Sequence, residues 1–197
     1  MSRVLVTILY EDQRGPTRGF GLHKLVTRCV FDAINGERHR LEGALDGRPM
    51  KGSAKLLATC REDLDDIAAD GRAVIAVFDA DKAGKLVQLS GKLKREEIVT
   101  KITTNCSSGV RFFVILLVEN MESVVQAVAP CDPSIDRKLI DSALGKDLAA
   151  RDIVLSNAAR EEARTVRECA LKANPSLQEL VTRVTALTRG GVGPAVT

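Results

Sequence analysis

Three apolar runs in this chain end in acids, and that arrangement leaves few folds open. Residues 4–10, Val-Leu-Val-Thr-Ile-Leu-Tyr, lead into Glu11-Asp12. Residues 73–78, Ala-Val-Ile-Ala-Val-Phe, lead into Asp79-Ala80-Asp81. Residues 111–118 lead into Glu119, and Glu122 follows one helical turn later. Each run is short, aliphatic and bounded by turn formers or charges, which is the signature of a strand buried on both faces. Such strands need helices above and below them, and that requirement selects a parallel sheet with crossover helices. The segments between the runs supply those helices. Leu22, Leu25, Val26, Cys29, Val30 and Ala33 recur at helical spacing, as do Leu56, Leu57, Cys60, Leu64 and Ile67. Ligands of open parallel sheets bind beyond the carboxyl ends of the strands, where these acids fall.

The remaining segments fill in the order. Gly15, Pro16, Gly19 and Gly21 mark a loop after the first acids, and Gly36 is placed to end the first helix. A short second strand is expected around residues 39–44, then a basic turn, Arg48-Pro-Met-Lys-Gly52, with Ser53 capping the next helix. Asp70-Gly71 ends that helix. Residues 82–91 read as a loop with a little helix, and residues 94–105 and 121–129 as helices. Beyond Pro130 only helical patterns remain, over 135–144, 148–171 and 176–187, followed by a Gly-rich tail. The expected organisation is an α/β core over 1–129, a helical C-terminal extension over 130–188 and a flexible tail over 189–197.

Composition narrows the function classes. Of 197 residues, 45% are apolar but only 3% aromatic, with no Trp, so the core must be aliphatic. The 29 Lys and Arg nearly balance 26 Asp and Glu, which excludes a polycation that coats nucleic acid by bulk charge. Basic charge is local instead. Arg14, Arg18, His23 and Lys24 flank the first acidic motif, and Arg48 and Lys51 share one turn; either cluster suits a phosphate backbone, as it would an ordinary solvated surface. Five scattered cysteines include no CxxC pair, which points to reduced thiols in the cytoplasm rather than a disulfide frame or a zinc site. The longest apolar run is too short to span a bilayer, and no leader-like segment opens the chain, so no membrane association is expected. His23 and His39 lack a nucleophile in sequence and read as surface or capping residues. Tyr10 lies inside the first run and reads as core.

Grouped carboxylates repel one another, and a cation relieves that repulsion. Their oxygens are the ligands that hard Mg²⁺ or Mn²⁺ prefers. A lone Asp-x-Asp is a weak signal, because acids at strand ends also form turns and cap helices. Asp12 and Glu122 fit solvent-facing or capping roles. The set Glu11, Asp79 and Asp81 is stronger, because a strand-end Glu and a strand-end Asp-x-Asp occur in order within one alternating pattern.

That pattern resembles the TOPRIM domain, the fold shared by topoisomerases, bacterial primases and OLD-type nucleases. The matching motifs are Leu9-Tyr-Glu-Asp12 and Val77-Phe-Asp-Ala-Asp81, and the resemblance covers residues 3–128. It implies a Rossmann-like parallel sheet flanked by helices, Glu11 as general acid or base, and Asp79 and Asp81 as ligands of Mg²⁺ or Mn²⁺, with Glu119 or Glu122 as supplementary ligands. Looser features resemble small stand-alone bacterial TOPRIM-like proteins, some encoded beside ATPases in defence-like gene groups. These are the basic turn at 48–52, Val118-Glu-Asn-Met-Glu122, and the helix that begins Asn174-Pro-Ser-Leu. Two positions depart from the family. Asp12 stands where TOPRIM usually has Gly, and Ala83 stands where a third Asp would complete an Asp-x-Asp-x-Asp motif.

Three functions follow. The first is Mg²⁺-dependent phosphodiester hydrolysis of DNA or RNA, in bacterial defence or DNA repair, with Arg48 and Lys51 holding the phosphodiester and Arg14 and Arg18 guiding the strand. The second is a non-catalytic subunit whose helical extension docks on an ATPase partner or on another copy of the chain. The third, a HAD-type phosphatase, ranks lower. That class places its Asp-x-Asp near the start of the fold with Thr or Val two residues on, whereas here a strand–helix–strand unit precedes the motif and Ala83 fills the position.

Overall fold

The computed structural model of the protein describes residues 4–11, 20–34, 41, 43–87, 94–106, 109–118, 121–145 and 147–189. Among these residues, four strands form one parallel sheet: β1 (Val6–Tyr10), β2 (Leu45–Pro49), β3 (Ala73–Asp79) and β4 (Phe112–Leu117), in the order β2-β1-β3-β4. The α/β class and the parallel sheet flanked by helices are as the sequence pattern requires. Side-chain alternation along the strands divides the core in two. Val6, Ile8 and Tyr10 of β1, with Ala73, Ile75 and Val77 of β3, face one layer of helices. Leu9, Val74, Ala76 and Phe78 face the other.

The second layer holds α2 (Ser53–Glu62), α3 (Leu64–Ile67), α4 (Ala80–Leu86) and α5 (Arg95–Asn105). The first holds α1 (Gly21–Ala33), α6 (Met121–Val128), α7 (Arg137–Leu144), α8 (Leu148–Ala158), α9 (Arg164–Ala173) and α10 (Pro175–Thr188). The C-terminal helices therefore cover the sheet. Val154, Leu155, Leu177, Leu180 and Val184 join β1, β3 and α1 in one continuous apolar cluster.

Two buried arginines fasten this layer. Arg167, 1% exposed, donates from Nε to Asp32 of α1 (2.6 Å) and from Nη1 to the carbonyls of Ala158 (3.0 Å) and Arg160 (2.5 Å). Arg151 reaches Glu122 of α6 and donates to the carbonyls of Ala143 and Gly145 at the end of α7. Each satisfies carbonyls that a helix end leaves without an intrahelical partner. Among the described residues, no helix is long and apolar enough to cross a membrane.

Several sequence expectations need correction. The second strand is Leu45–Pro49, not residues 39–44, of which 39, 40 and 42 lie outside the described residues. Its sequence, Leu-Asp-Gly-Arg-Pro, is a poor strand former. As an edge strand only half buried, it is held by its ladder to β1 rather than by propensity. Arg48 is consequently a strand residue, and the turn is Lys51-Gly52, with φ of 58° and 111°. Gly52, not Ser53, is the N-cap of α2 and no side chain caps it. The long helix expected over 148–171 is broken by a 3₁₀ turn at Glu161–Ala163, and Ala80–Leu86 form a helix where a loop with a little helix was expected over 82–91. Cys131 and Cys169 form a disulfide, with Cα atoms 5.8 Å apart, where reduced thiols were expected. The helix pairing that brings them together leaves no local spacing signal. Cys29, Cys60 and Cys106 are free and buried, as small core residues. His23 is not a surface or cap residue. Its Nδ1 lies 3.2 Å from the hydroxyl of the buried Tyr10, and its pKa is pushed down to about 4 by burial, with the charge of Asp46 opposing the shift. Gly36, His39 and the tail from residue 190 lie outside the described residues.

Candidate metal centre

The chain leaves β1, forms β2 on one side, then returns to place β3 on the other side of β1. The boundary between β1 and β3 is thus the switch point of the sheet, where crossovers diverge and a crevice opens. Both strands end there in acids. Glu11 N–H donates to the Val77 carbonyl (3.0 Å), the last backbone rung between the strands. The next rung is made by a side chain, as Asp79 N–H donates to Glu11 Oε2 (3.0 Å). Glu11 and Asp79 are only 8% and 5% exposed, so two carboxylates sit side by side in a poorly solvated place.

Lys82 completes the cluster. It lies one helical turn beyond Asp79 on α4, and its Nζ stands 3.1 Å from Asp79 Oδ2 and 3.4 Å from Glu11 Oε1. Among the described residues, the buried Asp79 Oδ1 has no hydrogen-bond partner. Burial raises the Asp79 pKa to about 6, and the charge of Glu11 adds to the rise. Lys82 opposes both, and Asp81 contributes a further push upward. For Lys82, burial works against the charged form, but the hydrogen bond and charge of Asp79 and the charge of Glu11 outweigh it and hold the ammonium pKa above its ordinary value.

The expected site residues divide accordingly. Glu11 and Asp79 meet at the carboxyl edge of one sheet. Asp81 lies in the first turn of α4, exposed, near enough for its charge to act on Asp79. Glu122 does not join them, because α6 turns it toward α8, where it neutralises the buried Arg151. Arg48 pairs with Asp46 two residues earlier on β2 (Nε–Oδ2 2.7 Å). Lys51 is exposed just past the end of β2, where Met50 N–H still bonds the Tyr10 carbonyl, so it stands at the same sheet edge as Glu11. Glu119, Arg14, Arg18 and Asp12 lie outside the described residues. Lys82 was missed in the sequence, where it sat in a segment read as loop. Its i, i+3 spacing from Asp79, once α4 is recognised as helix, is the signal that would have found it.

Among the described residues, no group of three or more His, Cys, Asp or Glu is gathered as a ready-made metal cage. The two carboxylates still fit a hard divalent cation. Mg²⁺ is commonly bound by one or two carboxylates while it keeps several waters and takes its other ligands from substrate phosphates. The unpartnered Asp79 Oδ1 is a buried acceptor that such an ion would satisfy.

No family model matches the chain, and no curated protein matches it. Among solved structures, it is similar to the C-terminal region of the Xanthomonas campestris pv. campestris OLD protein, at 12% identity and a TM-score of 0.36, over 95% of this chain and 98% of that one.

Proposed function

We propose that this protein is a TOPRIM-type, Mg²⁺- or Mn²⁺-dependent enzyme that hydrolyses nucleic-acid phosphodiesters. One observation carries the reading: Glu11 and Asp79 are buried together at the switch point of a parallel sheet, with one carboxylate oxygen unpartnered. Asp79 and Glu11 would hold the cation, with Asp81 reaching it from the first turn of α4. When bound, the ion supplies positive charge against the phosphate oxygens as negative charge builds on them. Glu11 Oε2 is committed to the Asp79 N–H, which leaves Oε1, with its two lone pairs, both to meet the ion and to accept or return a proton. Lys51, exposed at the same edge, is the side chain best placed to hold the substrate backbone, whether DNA or RNA. The setting that suits such an enzyme is bacterial cytoplasm, in defence or repair, with an ATPase as a candidate partner.

The test is cleavage of circular and single-stranded DNA and of RNA with Mg²⁺, Mn²⁺ or EDTA. We expect metal-dependent cutting that Asp79→Asn abolishes while the fold survives.

A second reading has one observation in its favour. Lys82 already neutralises the acidic pair, as a degenerate site would require. In that case the chain is a non-catalytic subunit, and neither divalent ion produces cutting even with its partner present.

A further inference from the structure

Lys82 has no part in the hydrolysis proposed above, yet its ammonium is the positive group found against both acids. Its side chain is 50% exposed, while those of Glu11 and Asp79 are 3% and 7% exposed. The pair is thus sealed on the protein side and closed on the solvent side by a flexible cation. An ion held by both acids would need Glu11 Oε1, because Glu11 Oε2 is occupied by the Asp79 N–H, and Lys82 contacts that oxygen while its ammonium also sits against Asp79 Oδ2. An ammonium on a four-carbon stem rotates into water at little cost, unlike a guanidinium locked by a planar fork.

We infer that Lys82 is a resident counter-cation of the Glu11–Asp79 pair, which a divalent metal displaces on binding. The inference rests on the metal-site reading and adds a means of regulating that site. Without metal, the ammonium offsets the repulsion between two buried carboxylates. With metal, it must leave, so the affinity of the site is set low by design of its own neighbour. Once displaced, the ammonium remains at the sheet edge, free to meet a phosphate oxygen. Metal and polyanion would then favour each other's binding.

The test is titration with Mn²⁺, followed by electron paramagnetic resonance of the free ion and by calorimetry. It compares the wild type with Lys82→Met, Lys82→Arg and Asp79→Asn. Lys82→Gln repeats the measurement with a polar side chain in case the apolar one disturbs folding. Removing the charge should tighten Mn²⁺ binding about tenfold, the scale on which one opposite charge at ion-pair distance acts on a carboxylate. Lys82→Arg, which keeps the charge on a fork that leaves less readily, should bind Mn²⁺ no more tightly than the wild type. The metal-free melting temperature of Lys82→Met should fall below the wild type and recover on Mn²⁺ addition. If Lys82→Met and Lys82→Gln bind Mn²⁺ no more tightly than the wild type, the counter-cation role is overturned while the metal site stands. If no variant binds Mn²⁺, or if Asp79→Asn binds it as the wild type does, the metal-site reading and the inference fall together.

Discussion

At Asp79, burial and a neighbouring carboxylate both oppose ionisation, and among the described residues Lys82 relieves them. The consequence for stability has a definite sign. Because the folded pKa is raised to about 6, folding favours the protonated form. That contribution is fully present below the unfolded value, near 4, and is lost as pH rises through about 6, amounting to about 3 kcal/mol across the window. Asp79→Asn removes the titration. In EDTA, its stability relative to the wild type should therefore grow between pH 4 and pH 7, as read from denaturant midpoints; parallel profiles would show that Asp79 is not strained. The effect must be read as a difference between the two proteins, because every other titrating group bears on the pH profile of both alike. A second outcome concerns Lys51. Lys51→Ala should weaken single-stranded DNA binding and flatten its salt dependence by about one counterion, with unchanged melting. Unaltered binding would mean that the backbone is held elsewhere.

Between elements, the packing of α1 on α8 offers the sharpest test. Gly21 opens α1, its N–H donates to Asp152 Oδ1 (2.6 Å), and a Cβ there would lie 2.6 Å from the Asp152 backbone oxygen. Backbone cannot yield as a flexible side chain can. Gly21→Ala should cost about 1–3 kcal/mol by forcing the two helices apart. A variant as stable as the wild type would contradict this docking. Arg167→Met should cost more, about 3–5 kcal/mol, because it leaves Asp32 charged without its partner and takes the guanidinium from the carbonyls of Ala158 and Arg160. Legibility in the sequence follows the same physics. β1, β3 and β4 could be read because strands buried on both faces are continuous apolar runs, and Glu11 and Asp79 because they end two of them. β2 could not, because an edge strand of Leu-Asp-Gly-Arg-Pro owes its conformation to the neighbouring strand. Lys82 was hidden by a misread helix. The Arg151–Glu122 and Cys131–Cys169 pairings depend on how distant helices dock, which local pattern does not encode.

Across the whole molecule, the sheet and the helices beyond residue 130 share one core. Heat or urea should unfold the chain in one transition seen alike by far-ultraviolet and near-ultraviolet dichroism. A fragment ending at residue 129 should bind a hydrophobic dye and melt without cooperativity, since it bares the apolar faces of α1 and β4 that α8 and α10 cover. A fragment that folds tightly would instead make the C-terminal helices a separable unit. The described helices thus lie on both faces of the sheet, more of them on one, and leave the carboxyl edge of β1 and β3 as the place where buried charge meets solvent. A divalent cation is proposed to bind at this edge. Crystals soaked in Mn²⁺ and measured at its absorption edge test it most directly. The account predicts an anomalous peak about 2.1 Å from carboxylate oxygens of Glu11 and Asp79, with the Lys82 ammonium displaced. A map with no peak there, and Lys82 still between the two acids, would contradict it.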